Sequence, residues 1–336
     1  MIAPADLAHC AEAIRTGSHS FHAASRLLPG RVRAPALVLY AFCRLADDAV
    51  DETEAKASAV LRLRDRLDLC YLGRPQNAPE DRAFAAMVAD YEMPQALPEA
   101  LLEGFAWDAE GRQYDSLSGV LAYSARVAAA VGAMMCVLMR VRDSDRLARA
   151  CDLGLAMQLT NIARDVGEDA RAGRLYLPRD WLRGAGVVPS AFLEDPRHTP
   201  AIAGVTCRLL GEAARLYARA DAGVAALPLS CRPGIAAARQ IYSAIGDCVA
   251  RSGYDSITGR ARTSGRRKAV LAVRAFAGAA VASVWPNAAT LHAAPTPEVA
   301  FLVAAARRDA PARVPRSEAM LDILTQLAQN DRQSRA

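Results

Sequence analysis

Strand signals are almost missing from this 336-residue sequence, in which no clean alternation of apolar and polar residues is bounded by Asn-Gly or Asp-Gly turns. Aromatic residues are also scarce, at 6% against 52% hydrophobic residues overall, and alanine supplies much of the difference. That balance argues against sandwiches and barrels and for closely packed helices. The eight cysteines (Cys10, Cys43, Cys70, Cys136, Cys151, Cys207, Cys231 and Cys248) include no C-x-x-C pair and no Cys/His group at zinc-ligand spacing. They exclude a disulfide framework and a zinc module, and read as buried thiols of a reducing compartment. No apolar run is long enough to cross a bilayer as a helix. The longest, Val127 to Met139, is thirteen residues between Arg126 and Arg140, and Ala275 to Trp285 stops at Pro286. Met1 to Ala11 lacks the basic head and apolar core of a secretory signal, so a cytoplasmic location is expected.

Long stretches of helical period separated by proline and glycine are what the sequence does contain. Breaks fall at Pro29-Gly30, Gly73-Arg-Pro75, Pro94, Pro98, Pro178, Pro189, Pro196, Pro228 and Pro233-Gly234, with Pro35 suited to the first turn of its helix. Between them lie about eight to ten helices. No fixed-period repeat or low-complexity linker divides the chain. One all-α domain is therefore expected over 1–286. The segment 287–336, with Pro295, Pro297, Pro311 and Pro315 and a polar end, is expected to be a loosely packed tail.

Two acidic stretches carry the chemistry. Asp47-Asp48-Ala49-Val50-Asp51 and Asp165-Val166-Gly167-Glu168-Asp169 each place two aspartates at i and i+4 on one helix face. Like charges so close destabilise a bare helix, and a bound cation is the simplest reason to keep them. Hard divalent ions are held by one or two carboxylates, with waters and phosphate oxygens completing the shell. Arg44 and Arg164 stand just upstream, so an anion such as diphosphate could share the site with the metal. Gln158, Asn161, Asp165 and Asp169 at i, i+3, i+7 and i+11 form a polar stripe along one helix, beside an apolar one of Leu155, Leu159, Ile162 and Val166. Alone, that stripe also fits an amphipathic helix with water on one side, and the first stretch also fits an acidic helix end.

Net charge is +5 and uneven: residues 1–250 hold 28 basic and 30 acidic side chains, and 251–336 hold 13 and 6. The surplus gathers at Arg260, Arg262, Arg266, Arg267 and Lys268, either a solvated face or a patch for anionic lipid headgroups or phosphates. No aromatic interleaving or recognition motif supports nucleic-acid binding.

The segments Ser18-His19-Ser20-Phe21, Leu39 to Asp51, Gln158 to Asp169 and Gly173-Arg174-Leu175-Tyr176-Leu177-Pro178 together resemble the squalene/phytoene synthases, and within them the bacterial phytoene-forming branch. The resemblance runs in order from about residue 10 to about 270. It implies an isoprenoid-synthase-type helical bundle around a deep apolar central cavity. It implies Mg²⁺, with Mn²⁺ as the alternative ion, on Asp47, Asp51, Asn161, Asp165 and Asp169. Ser18, His19, Ser20, Arg44 and Arg164 would contact diphosphate oxygens, and Phe21, Tyr40, Tyr123, Gln158 and Tyr242 would line the substrate channel.

The implied reaction is head-to-head condensation of two geranylgeranyl diphosphates to phytoene, the first committed step of carotenoid biosynthesis. The sequence shows no strand-linked G-x-G-x-x-G, and no NADPH step is expected. Peripheral membrane contact and other carotenoid-pathway enzymes are the expected partners besides the substrate. Squalene or dehydrosqualene formation from farnesyl diphosphate, and a non-catalytic assembly factor of the same fold, are the alternatives. Two positions depart from the family pattern. His19 stands where lysine is common, and Val127-Ala128-Ala129-Ala130-Val131-Gly132 has alanine where a glycine is usual, which should narrow a close helix approach.

Overall fold

Helix boundaries follow side-chain caps and first-turn prolines. The computed structural model describes residues 2–51, 56–261, 264, 265, 267, 270, 271 and 289–308; they contain helices and no strand. The first half holds α1 (Pro4–Gly17), α2 (His19–Ser25), α3 (Gly30–Asp51), α4 (Lys56–Tyr71), α5 (Pro79–Tyr91), α6 (Ala96–Ala109), α7 (Leu117–Ser124) and α8 (Ala130–Leu138). Then come α9 (Ser144–Arg171), α10 (Arg179–Gly184), α11 (Pro189–Glu194), α12 (Pro200–Ala226) and α13 (Arg232–Arg251). Ser18, Ser116, Asp143 and Thr199 cap α2, α7, α9 and α12 by accepting a backbone N–H in the first turn. Prolines open α1, α5, α11, α12 and α13, where a missing N–H costs nothing. Among the described residues these thirteen helices, with a further one at Ala300–Ala306, exceed the expected eight to ten because α2, α7, α10, α11 and that last helix have only six to eight residues, too few for a period to show.

Pro35 lies inside α3, five residues after its start, and not in the first turn. A proline there leaves the carbonyl four residues earlier without its donor. The hydroxyl of Tyr91 takes over, donating to the Arg31 carbonyl at 2.7 Å, so α3 continues unbroken to the acidic stretch.

The 28-residue α9 is the central element, packed against α8, α12 and α13. At 1.5 Å per residue it spans ~40 Å. It passes close to a π-helical turn, Ala125–Ala129, that joins α7 to α8. A Cβ on Gly154 would lie 2.6 Å from the Ala129 Cα and 2.7 Å from the Ala128 carbonyl oxygen. The alanines at 128–130 thus do not widen this crossing. The glycine sits on the partner helix, and two backbones still meet.

α7, the π turn and α8 make one continuous helical stretch, Leu117–Leu138, of 22 residues, long and apolar enough by length and composition to cross a membrane. The thirteen-residue run read from sequence was therefore too short a measure. Val120, Ala125, Ala129, Ala133, Met134, Cys136 and Val137 are buried in the protein interior, which accounts for the hydrophobicity as core packing.

The tail expectation fails over 289–308. Leu291, Val299, Leu302, Val303 and Ala306 belong to the same core as the helices before them. A fully buried ion pair anchors the segment: Arg149 donates to Asp152 (2.7 Å) and to the carbonyls of Thr290 (2.6 Å) and Ala293 (2.8 Å). Arg219 donates to the same Asp152 oxygen (2.9 Å) and to the Ala294 carbonyl (2.8 Å). Proline-rich composition was misleading here because these carbonyls find their donors in α9 and α12 and not in a helix of their own. The expected boundary at 287 and residues 309–336 lie outside the described residues.

Removing one partner from a buried ion cluster strands the rest. Arg149→Met is expected to lower stability by about 3–5 kcal/mol, read by urea unfolding. A loss below ~1 kcal/mol would show that the cluster does not hold the segment.

Candidate functional site

The two acidic helices face one cavity. Tyr40, Cys43, Arg44 and Asp47 from α3 and Gln158, Asn161, Ile162, Arg164, Asp165 and Asp169 from α9 line a space of about 440 Å³. Leu101, Phe105 and Asp108 from α6, Tyr123 from α7, Arg174 and Tyr176 after α9, and Arg260 after α13 complete its wall. Stretches more than a hundred residues apart are thereby brought to one ligand-sized volume. The side chain of Asp51 lies outside the described residues.

Arginines are interleaved with the carboxylates. Arg44 reaches Asp47 (3.3 Å) and Asp48 (2.6 Å). Asp165 is held from two sides: Arg164 donates to both its oxygens, and Arg260 donates to the same two at 2.8 and 3.1 Å while also reaching Glu168 at 3.1 Å. Arg260 arrives there because the loop after α13 docks on α9. The Gly167 N–H donates to the Ser256 carbonyl at 3.0 Å, and a Cβ on Gly167 would lie 2.6 Å from the Ile257 Cα. Only glycine permits that approach.

Asp169 sits deeper. Burial, followed by the charge of Asp165, pushes its carboxyl up to about 7, with Arg174 acting in the opposite sense. The buried Oδ1 of Asn161 has no hydrogen-bond partner. Among the described residues no three His, Cys, Asp or Glu side chains are close enough to form a ready-made metal cluster. The donors are nonetheless hard oxygens on two opposing walls, including an orphaned acceptor and a carboxyl that resists ionisation without a cation. That set fits a hard divalent ion that keeps water and ligand oxygens in its shell.

Behind this polar mouth lies an apolar chamber of about 330 Å³, and Tyr40, Cys43, Val127, Gln158 and Asn161 line both spaces. Its walls follow α9 from Asn161 back to Arg146, a length of ~22 Å at 1.5 Å per residue. Phe21 and Tyr242 line the chamber, their ring centroids 5.1 Å apart, and Phe21 meets Tyr40 edge-on at 6.4 Å. Burial pushes the Cys43 thiol up to about 12, so at the junction it stays a neutral group and not a nucleophile.

Of the residues singled out in the sequence, Asp47, Arg44, Tyr40, Tyr123, Gln158, Asn161, Arg164, Asp165 and Asp169 meet at the mouth, and Phe21 and Tyr242 in the chamber. Ser18, His19 and Ser20 line neither. Ser18 spends its hydroxyl as a cap, accepting the Phe21 N–H at 3.3 Å, and His19 is exposed. Asp108, Arg174, Tyr176 and Arg260 were not read as site residues. Arg174 and Tyr176 lie inside the Gly173–Pro178 motif, where the sequence assigns them no role, Asp108 has no second acid three or four residues away, and Arg260 reads as one of the basic cluster. Of that cluster Arg267 pairs with Asp247 at 3.5 Å, while Arg262, Arg266 and Lys268 lie outside the described residues.

Residues 14–270 match the family described as squalene/phytoene synthase. A phytoene synthase of Cereibacter sphaeroides is 66% identical over 99% of this chain and 96% of its own length. A phytoene synthase of Rhodobacter capsulatus is 62% identical over 99% of this chain and 98% of its own. Among solved structures, a dehydrosqualene synthase in complex with ligand superposes with a TM-score of 0.77 at 30% identity, covering 82% of this chain and 97% of that one.

The raised carboxyl of Asp169 weakens the metal-free fold as pH climbs from its ordinary value of 3.8 to about 7, and the full penalty stands above that. Asp169→Asn removes the charge. In chelator-treated protein it should melt higher than wild type at pH 8, by ~2–4 °C for each kcal/mol recovered, and no higher at pH 4. A lower melting point at pH 8 would contradict this account of the site.

Proposed function

The chain belongs to the squalene/phytoene synthase family, and on that premise we propose that it is a phytoene synthase, a prenyltransferase joining two molecules of geranylgeranyl diphosphate head to head. The observation that carries this reading is a mouth of carboxylates and arginines opening onto a long apolar chamber. A prenyl diphosphate has the same two parts in the same order. The full-length relatives named phytoene synthase do not favour the farnesyl-using alternatives or a non-catalytic factor.

Asp47, Asn161, Asp165 and Asp169, with Asp51, would hold Mg²⁺ or Mn²⁺, which when bound supplies charge neutralisation to the leaving diphosphate. Arg44, Arg164 and Arg260 bind diphosphate oxygens, exchanging carboxylate partners for phosphate ones. Release of diphosphate from the first substrate leaves an allylic cation, which the C2–C3 double bond of the second captures. Proton loss closes the cyclopropane of prephytoene diphosphate. A second ionisation, rearrangement and proton loss give phytoene, with no NADPH step. The chamber excludes water that would quench these cations. The faces of Phe21, Tyr40 and Tyr242 stabilise them, an interaction worth about 2 kcal/mol when desolvated.

Substrates and product partition into lipid, and the proposal extends to peripheral contact with the cytoplasmic face of the membrane, where other carotenoid-pathway enzymes would take up the product.

Incubation with geranylgeranyl or farnesyl diphosphate and Mg²⁺, followed by hydrocarbon extraction, should yield phytoene from the first and little from the second. Asp47→Ala and Asp165→Ala should remain folded and lose at least ~10²-fold in turnover; near wild-type turnover in either would refute the site assignment. Flotation with anionic liposomes should carry the protein upward, and its absence with every lipid composition would remove the membrane part.

A further inference from the structure

The Asp108 carboxylate accepts two phenolic hydroxyls, from Tyr123 on one oxygen at 2.8 Å and from Tyr176 on the other at 2.7 Å. All three side chains line the polar mouth, and the two rings stack with centroids 5.0 Å apart and planes 19° from parallel. We infer that Asp108 is a positioning residue for the reaction: by drawing both hydroxyl hydrogens onto itself, it leaves the lone pairs of both phenolic oxygens for the cavity in which the prenyl cation forms. This rests on the phytoene-synthase reading above.

Two physical facts support the arrangement. A phenol rotor left alone turns its hydrogen to whatever acceptor is near, so its dipole has no fixed sign toward a cation. A carboxylate is an acceptor on both oxygens and fixes two rotors at once, and dipoles oriented before the charge appears need no reorganisation when it does. Burial also raises both phenols above their ordinary titration range, Tyr123 and Tyr176 alike, so each stays a neutral dipole and does not become a phenolate that would trap the cation covalently.

Asp108→Asn is the discriminating change because an amide accepts with one atom only. Its NH₂ group donates, and one tyrosine must then turn its hydroxyl hydrogen away, toward the cavity. With geranylgeranyl diphosphate, turnover should fall roughly 10²-fold, while KM and the Mg²⁺ concentration for half-maximal rate stay within about twofold, a split that loss of fold or of a metal ligand would not give. Prenyl alcohols from quenched cations should rise relative to phytoene. Asp108→Glu, which keeps both acceptors, should recover most of the turnover. In a Tyr123→Phe/Tyr176→Phe background, adding Asp108→Asn should change turnover by less than about twofold, since the two hydroxyls it orients are gone.

Wild-type turnover in Asp108→Asn, full additivity with the tyrosine pair, or a shifted Mg²⁺ requirement in the Asp108 variant alone would each overturn the inference. If Asp108→Asn does not fold, the single Tyr123→Phe and Tyr176→Phe variants decide: reduced turnover at unchanged KM supports it, and wild-type turnover in both overturns it. A wild-type enzyme yielding no hydrocarbon would overturn the phytoene-synthase reading and this inference together.

Discussion

Carboxylates crowded into one partly buried cavity are the constraint around which this protein is organised. Asp47 on α3 and Asp165 and Asp169 on α9 would repel one another and lose hydration if nothing compensated them. Three arginines offset part of that cost in the free protein, with Asp165 clasped between Arg164 and Arg260 and Asp47 beside Arg44. The remainder stays visible in the raised carboxyl of Asp169 and the unpartnered oxygen of Asn161. A site left in this condition favours a ligand that brings cations for the acids and anionic oxygens for the guanidinium groups, as a metal-bound diphosphate does.

Holding like charges together requires a scaffold that cannot relax them apart. α9 supplies it, wedged between α12 and the π-helical turn, with Gly154 setting the spacing to Ala128 and Ala129. At the far end of the same helix, Arg149 and Asp152 tie it to α12 through Arg219 and to the carbonyls of 290–294. One rigid rod thus carries the polar mouth near its C-terminal end and the floor of the apolar chamber near its N-terminal end. The distance between these ends is a property of helix rise and not of loops, which gives the cavity a length that thermal motion does not erase.

Much of this was legible in the chain. Asp165 and Asp169 at i and i+4, an upstream arginine on each helix and the Gln158 to Asp169 stripe are local patterns with a fixed helical geometry, and the structure turns these residues toward the cavity. Less was legible where partners come from distant segments. Asp108 means nothing on α6 until Tyr123 and Tyr176 arrive at its two oxygens. Arg260 reads as one of several surplus charges until Gly167 lets its loop settle on α9. The tail-like composition after 286 hid a segment whose carbonyls are bonded by arginines from α9 and α12.

Sequence by itself determined the helical class, the two acid-bearing faces and the residues whose roles depend on neighbours within a turn or two, because helix periodicity converts such spacing directly into direction. Tertiary structure alone decided that both faces share one cavity, which arginine clasps Asp165, and that the chain beyond 286 joins the core. Those outcomes depend on contacts between residues 95 and 141 positions apart in the chain, and no local pattern encodes which of many possible partners will come within reach.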